Sequence, residues 1–474
     1  MKGKNLFAPV DFTLGRTRKL ILLFTLSIAL TTLLKNAFSL INSLVLKYTV
    51  GGIAVTAINV TGTISSLIFN FAYGCSSGFA VLIGNAFGKK DESQMRTYYV
   101  HSIALSLLIG GLITLIGLCS YRELLRVLNV DAIYLDQASS YYRIILASFV
   151  LMMFSNLGSN LLNALGSSFA ALMISLVSTL SNVAFAFLFT GVFRLDTAGV
   201  GVATLLSNLI SAALAFVYLH RRFPCLRLQK GAVKADKKAV GNLMKVGLPL
   251  GFQWSVLFIG TFVQNSVVNA FGKEAQAAQG VYTQMENYLS IPLSSTATTL
   301  LNFTAQNYGK RDEKRIKEGI REATRINVGF YLVILIVCQI IAPHIAYFFL
   351  PAQDVGADVV YYSSTYLRVI AFFLIFQGLL QLARSVLQGI QKPLIPFFSG
   401  IGELVARIIV AFLLPALVDP SDIHSRKAYF AVCFSTPCAW VISFLIMGIS
   451  VFVLIYRKGI SSPAEKPENE IEPR

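Results

Sequence analysis

Long apolar stretches recur along this chain, separated by short polar connections, and each stretch is long enough to be a membrane helix. The hydrocarbon core of a bilayer takes about 20 helical residues. The pattern predicts twelve spans, at about 19–46, 54–87, 97–120, 137–164, 168–191, 198–220, 246–271, 276–308, 326–345, 358–385, 393–417 and 428–455. The first apolar run, from Leu20 to Leu46, is too long for a signal-peptide core, and no small-residue cleavage site follows it. It reads as an uncleaved first helix. An even number of spans puts both termini on one side.

The polar connections carry a repeat. Residues 88–92 read Gly-Lys-Lys-Asp-Glu and residues 309–313 read Gly-Lys-Arg-Asp-Glu, an offset of 221. At the same offset Ala54 matches Ala275, Ala57 matches Ala278 and Val60 matches Val281. Further on the offset becomes 225, where Ser140-Tyr-Tyr-Arg143-Ile-Ile145 matches Thr365-Tyr-Leu-Arg368-Val-Ile370. Each unit holds six spans, so both run in the same sense and should form two lobes related by a pseudo-twofold axis along the membrane normal. The expected fold is an all-α polytopic membrane protein, with twelve transmembrane helices in two six-helix lobes around a central cavity. The expected organisation is an N-lobe over 1–220, a basic linker over 221–245, a C-lobe over 246–457 and a short, polar, disordered tail over 458–474.

Composition agrees with the pattern. The chain is 55% hydrophobic and 13% charged, against about a quarter charged in a soluble chain. Its net charge of +17 could suggest nucleic acid. With the N-terminus inside, however, the outer segments hold only seven of the 40 Lys and Arg residues: Lys47, Arg122, Arg126, Arg194, Lys273, Arg426 and Lys427. That imbalance predicts cytoplasmic termini by the positive-inside rule and accounts for the charge without nucleic acid. Six scattered cysteines form no CxxC pair, the four histidines do not cluster, and no GxxxxGKS loop is present. No metal, cofactor or built-in ATPase is expected, and no catalytic cluster is visible.

Charged groups at membrane depth cost several kcal/mol and usually face a cavity or a partner. Only two acids sit well inside the spans, Glu286 in the eighth and Glu403 in the eleventh. Glu403 lies four residues before Arg407, which permits a same-helix ion pair, structural or coupling. Glu286 shares a face with Gln279, Thr283 and Ser290 and has no basic residue one turn away. Desolvation disfavours its charged form, which suits cyclic protonation; a hydrogen-bonded structural acid is the alternative. Glu286, Glu403 and Arg407 are the ion-coupling candidates. Gln253, Gly260 and Gln264 share one face of the seventh helix, and Gln377, Gln381, Arg384 and Gln388 share one face of the tenth. Asn156, Ser159 and Asn163 answer them in the fourth, with Asn182 in the fifth. These polar stripes either line the cavity or bind helices to each other. Lys35, Ser39 and Asn42 share a face of the first helix by i, i+4, i+7 spacing.

Several pieces resemble the multidrug and toxic compound extrusion (MATE) transporters of bacteria. They are Gly247-Leu-Pro249, Ala305-Gln-Asn-Tyr-Gly309, Gly199-Val-Gly-Val-Ala-Thr204, Glu403-Leu-Val-Ala-Arg407 and Pro437-Cys-Ala-Trp440. The resemblance covers nearly the whole chain. It implies a twelve-helix antiporter of the bacterial cytoplasmic membrane that exports small organic substrates, driven by inward H⁺ or Na⁺, with membrane lipids around it and no second subunit. Many bacterial members carry an aspartate in the first helix, within a pattern like Tyr-Asn-x-x-Asp. The matching stretch here is Phe38-Ser-Leu-Ile-Asn42, so Asn42 replaces the acid and Lys35 sets a cation near it. That change weakens the usual preference for cations and points to the C-lobe for coupling, since Glu286 answers to Ser65 in the second helix. A flippase for a lipid-linked intermediate, from the wider superfamily, or an exporter of one metabolite is the alternative.

Overall fold

Every apolar stretch forms a helix, and most helices continue past the stretch into polar sequence. The computed structural model describes residues 9–127, 132–227, 236–350 and 355–459; side chains at 38–40, 42–44, 46–47, 52–57, 59–60, 63–64, 127, 132 and 134 lie outside that description. The N-terminal half holds α1 (Thr17–Thr49), α2 (Gly52–Lys89), α3 (Glu92–Val127), α4 (Ala132–Ala164), α5 (Ser168–Phe187) and α6 (Asp196–Arg222). The C-terminal half holds α7 (Lys237–Asn269), α8 (Lys273–Gly309), α9 (Glu313–Ile341), α10 (Ala357–Gly389), α11 (Leu394–Val418) and α12 (Ser435–Val451), the last preceded by a short helix, Arg426–Val432. Among the described residues there is no strand. Among the described residues eleven segments are long and apolar enough to cross a membrane. The exception is α8, the helix that carries Gln279, Thr283 and Glu286 and whose second half is almost entirely buried.

Two of the long segments are broken, each for a stated reason. Pro343 lacks the N–H that would continue α9, and the chain passes through the turn Ala342–His344 into the short helix Ile345–Phe349. In the last span Pro437 has no N–H for the carbonyl of Cys433. The helix is interrupted between Val432 and Ser435, beside the site described below.

The lobes are built alike. In the N-lobe α4 packs on α2, α3 and α6, α5 packs on α1 and α6, and α2 packs on α3. In the C-lobe α10 packs on α8, α9 and α12, α11 packs on α7 and α12, and α8 packs on α9. Across the seam α2 meets α7 and α8, and α8 meets α1. These are the pairings expected of twelve helices in two lobes about a twofold axis.

The backbone repeats with the sequence offsets. Gly51 and Gly272, 221 apart, both have φ 102° and cap α2 and α8. Lys90 and Arg311, in the two copies of the polar phrase, are both left-handed at φ 60° and 61°. Gly166 and Gln391, 225 apart, are left-handed at φ 80° and 60°. In each copy of the phrase the aspartate caps the next helix: Gln94 N–H donates to Asp91 Oδ1 at 2.9 Å and Arg315 N–H to Asp312 Oδ1 at 3.0 Å. The phrase is therefore a helix stop, a left-handed reversal and a helix start, written twice.

The lobes are sealed together on the face that carries this phrase. A Cβ added to Gly88 would lie 1.9 Å from the carbonyl oxygen of Gln306, and one added to Gly309 would lie 2.0 Å from that of Asn85. Gly74 and Gly78 of α2 meet the backbone of Leu250 and Gly247 of α7 in the same way, at 2.4 and 2.7 Å. Only glycine lets two backbones come this close. The start of α7 is buried in the N-lobe core through Leu243, Val246 and Leu250, and Ile21 and Phe24 of α1 are buried in the C-lobe core. A strap crosses the seam as well. Val10 N–H donates to the Gly166 carbonyl at 2.8 Å, and Phe12 N–H to Gln306 Oε1 at 2.9 Å. Arg315 donates to the carbonyls of Phe12, Leu14 and Gly15 at 2.8–2.9 Å.

Candidate functional site

Beyond the seal each lobe encloses a polar cavity. That of the C-lobe has a volume of about 190 Å³ and gathers side chains from α7, α8, α10, α11 and the start of α12. Its charged groups are Arg384, Glu403 and Arg407, with Glu286 on the wall contributed by α8. The i, i+4 spacing of Glu403 and Arg407 delivers the same-helix pair: Arg407 Nη2 lies 3.3 Å from Glu403 Oε1. Arg384, one helix away, reaches the other carboxylate oxygen at 3.2 Å. All three are at most 8% exposed. Both guanidiniums keep an Nε–H without a partner among the described residues, and Arg407 Nη1 reaches Thr261 Oγ1 only at 3.5 Å.

Glu286 stands outside these ion pairs, with the Tyr366 hydroxyl beside it. Tyr366 accepts from Gln264 Nε2 at 3.1 Å, and Gln264 Oε1 in turn accepts from the hydroxyl of Thr436, just past the break in the last span. Tyr366 also stacks on Tyr282 with ring centroids 3.5 Å apart. The formal charge of the cavity is thus zero with Glu286 ionised and one positive with it protonated.

The N-lobe cavity, about 130 Å³, lies between α1, α4, α5 and α6. Lys35 enters it from α1, facing Asn156 and Ser159 of α4, Ser175 and Thr179 of α5 and Asn208 of α6. It contains no acid.

The structure brings together some of the residues singled out in the sequence and separates others. Glu286, Glu403, Arg407, Gln264, Gln377 and Gln381 line the C-lobe cavity, and Lys35 and Asn156 line that of the N-lobe. Gln253, fully buried, accepts from Gln388 Nε2 at 3.0 Å and ties α7 to α10. Gln279 donates to Asn265 between α8 and α7, away from the cavity wall. Asn182 donates to Ser207 at 3.1 Å, joining α5 to α6. Asn163 and Thr283 line neither cavity. For Gln253, Gln279 and Asn182 the observed contacts are helix-to-helix bonds. Ser39 and Asn42 lie outside the described residues. Tyr366, Thr436 and the polar faces of α5 and α6 were missed. The last had a signal, since Ser175 and Thr179, and Thr204 and Asn208, recur at helical spacing within apolar spans.

The chain is similar to known proteins over most of its length. The family model described as MatE matches residues 27–188 and 249–413, one stretch in each lobe. The Bacillus subtilis (strain 168) protein named "Probable multidrug resistance protein YoeA" is 24% identical over 433 residues, which cover 90% of this chain and 91% of that one. "Multidrug export protein MepA" of Staphylococcus aureus (strain MSSA476) is 22% identical over 374 residues, 77% of this chain and 80% of that one. Among solved structures, an outward-facing multidrug resistance MATE family transporter of the MOP superfamily superposes with a TM-score of 0.84 at 20% identity, over 96% of this chain and 99% of that one. A MOP superfamily transporter from Pyrococcus furiosus gives a TM-score of 0.85 at 20% identity, over 96% of this chain and 99% of that one.

Proposed function

The chain belongs to the MatE family, and on that premise we propose that this multi-pass membrane protein exports small organic compounds by antiport against inward H⁺ or Na⁺. The two lobes alternate between sealing one face and the other. Relatives named for multidrug resistance and multidrug export support the substrate class. The excess of Lys and Arg on the sealed face supports a bacterial cytoplasmic membrane with both termini inside. In that orientation the seal is cytoplasmic and the cavities belong to an outward-open state. The protein works alone, without a resident cofactor.

The observation that carries the coupling step is the position of Glu286. Glu403 is held by two arginines, whereas Glu286 faces the same cavity outside those pairs. A proton or Na⁺ arriving from outside neutralises it and adds one positive charge to the cavity. A cationic or hydrogen-bonding substrate is thereby displaced outward. Loss of the ion to the cytoplasm restores the carboxylate for the next substrate. The test is ethidium uptake into inverted vesicles under an imposed proton or sodium gradient. Wild-type uptake is expected to collapse when one of the two gradients is dissipated. Glu286→Gln is expected to reach the membrane in normal amount and lose gradient-driven uptake. Full gradient-driven uptake by Glu286→Gln would refute the coupling role.

A further inference from the structure

The N-lobe cavity is unlike that of the C-lobe in one respect that decides its chemistry: it has a cation and no acid. We propose that this cavity is an anion-binding site, in which Lys35 receives the carboxylate of a small organic acid. The proposal names the ligand class of the N-lobe cavity alone, distinct from the substrate displaced at the C-lobe cavity, and rests on reading the protein as an exporter of organic compounds.

Between residues 17 and 220 the acids are Asp91, Glu92, Glu123, Asp131, Asp136 and Asp196, all at helix ends or in connections. Lys35 stands 18 residues into α1, about 27 Å along the helix. No carboxylate of its own lobe stands at that depth, and Lys35 takes part in none of the ion pairs of the described residues. A lysine at membrane depth needs a counter-charge or water.

The surrounding groups fit an anion. Ser155 donates to Ser211 at 2.8 Å, Thr179 to the Ser175 carbonyl at 2.7 Å, and one N–H of Asn208 to the Thr204 carbonyl at 3.0 Å. The Ser175 hydroxyl, 8% exposed, has no partner among the described residues. With the Lys35 ammonium, the amide of Asn156 and the hydroxyl of Ser159, it leaves a set of donors around one positive charge. A carboxylate accepts from such a set at both oxygens. A cationic group would meet an ammonium with nothing to offset it. About 130 Å³ suits a carboxylate on a single small ring or short chain.

The experiment uses the full-length protein in nanodiscs of neutral lipid and three probes of one shape: benzoate, the neutral benzamide and the cationic benzylamine. Radiolabelled benzoate is expected to bind, and to be displaced by unlabelled benzoate but not by benzamide or benzylamine. Lys35→Met is expected to raise its Kd by about tenfold to a hundredfold, the range of a hydrogen bond to a charged group. Lys35→Arg, which keeps the charge, should restore most of the affinity. Should Lys35→Met not be recovered folded, Ser175→Ala removes one donor and no charge, with an expected rise of about fivefold. Absence of benzoate binding, equal binding by wild type and Lys35→Met, or tighter binding of benzylamine would overturn the proposal. Ethidium uptake by the wild type is read separately. Its failure would sink the exporter reading while Lys35-dependent benzoate binding still stood.

Discussion

Replacing Gly88 or Gly309 by alanine should force the lobes apart on the sealed face. The added Cβ would stand 1.9 Å from the Gln306 carbonyl oxygen in one case and 2.0 Å from that of Asn85 in the other, where ordinary contact begins at 3.4 Å. Both obstacles are backbone atoms, so no side chain can swing away, and the helices must separate by roughly 1.5 Å. Overpacking of this kind costs about 1–3 kcal/mol. The clash exists only while the face is closed, so the cost falls on one state and shifts the equilibrium by about 5- to 150-fold toward opening. The chain carries its own reporter. Cys75 is fully buried in the seam between α2 and α7, its sulfur 2.5 Å from where a Cβ on Gly251 would be. Its maleimide labelling rate in membranes, read by mass spectrometry of its peptide, follows the open population when opening is rapid. The expected rise is the same 5- to 150-fold. Gly329→Ala, with nothing within 4 Å of the added carbon, serves as the control and should leave labelling unchanged. Labelling within about twofold of wild type in both seam variants, with the fold intact, would refute the view that this face opens as a unit.

Other perturbations test single parts. Glu403→Gln leaves two buried guanidiniums facing each other and should cost about 3–5 kcal/mol, seen as a lowered thermal midpoint in detergent; an unchanged midpoint would show that the triad is not held as described. Arg315→Ala removes the donors to three strap carbonyls, and tryptic cleavage at Arg16, Arg18 and Lys19 should accelerate severalfold; unchanged cleavage would mean that the strap is held by its remaining bonds to Gly166, Gln306, Asn307 and Lys310. Gly51→Ala and Gly272→Ala each place a side chain at φ 102°, which should cost about 1–3 kcal/mol, and equal losses at the two sites would match the repeat. Glu286→Gln is expected to remove the dependence of export on the coupling gradient, as set out above.

The architecture was legible in the sequence because apolar length and charge placement act locally. The twelve spans and the two offsets of 221 and 225 reappear as helices and as matched left-handed residues. The ion pair of Glu403 with Arg407 followed from spacing on one helix. What lay beyond reach depended on the approach of separate helices. Arg384 was visible as one residue of a polar stripe, but its bond to Glu403 joins α10 to α11 and no spacing rule reports it. Gln253, Gln279 and Asn182 looked like Gln264 in sequence. Which amide faces a cavity and which faces another helix is set by helix rotation, and polarity alone does not encode that. The doubled phrase was legible in the sequence as a repeat, but not as the place where the lobes touch. Its charges cap helices and reverse the chain, while the contact between lobes is made by its first residue, a glycine, through backbone packing.

The position of the repeat has a physical cause. Under a twofold axis, a residue that meets its counterpart's neighbour does so twice, so Gly88 against Gln306 implies Gly309 against Asn85, and both contacts are present. Where the lobes touch, a change in one copy is felt against the other, and the two copies stay alike. The two cavities share no lining residue among those described. They have diverged fully: one lysine among hydroxyls and amides in the N-lobe, two arginines and two glutamates in the C-lobe. A rocking motion needs symmetry only at its bearing surfaces. Under the antiport proposed above, the asymmetry between ion and substrate would reside in the cavities without disturbing the seal that both lobes form.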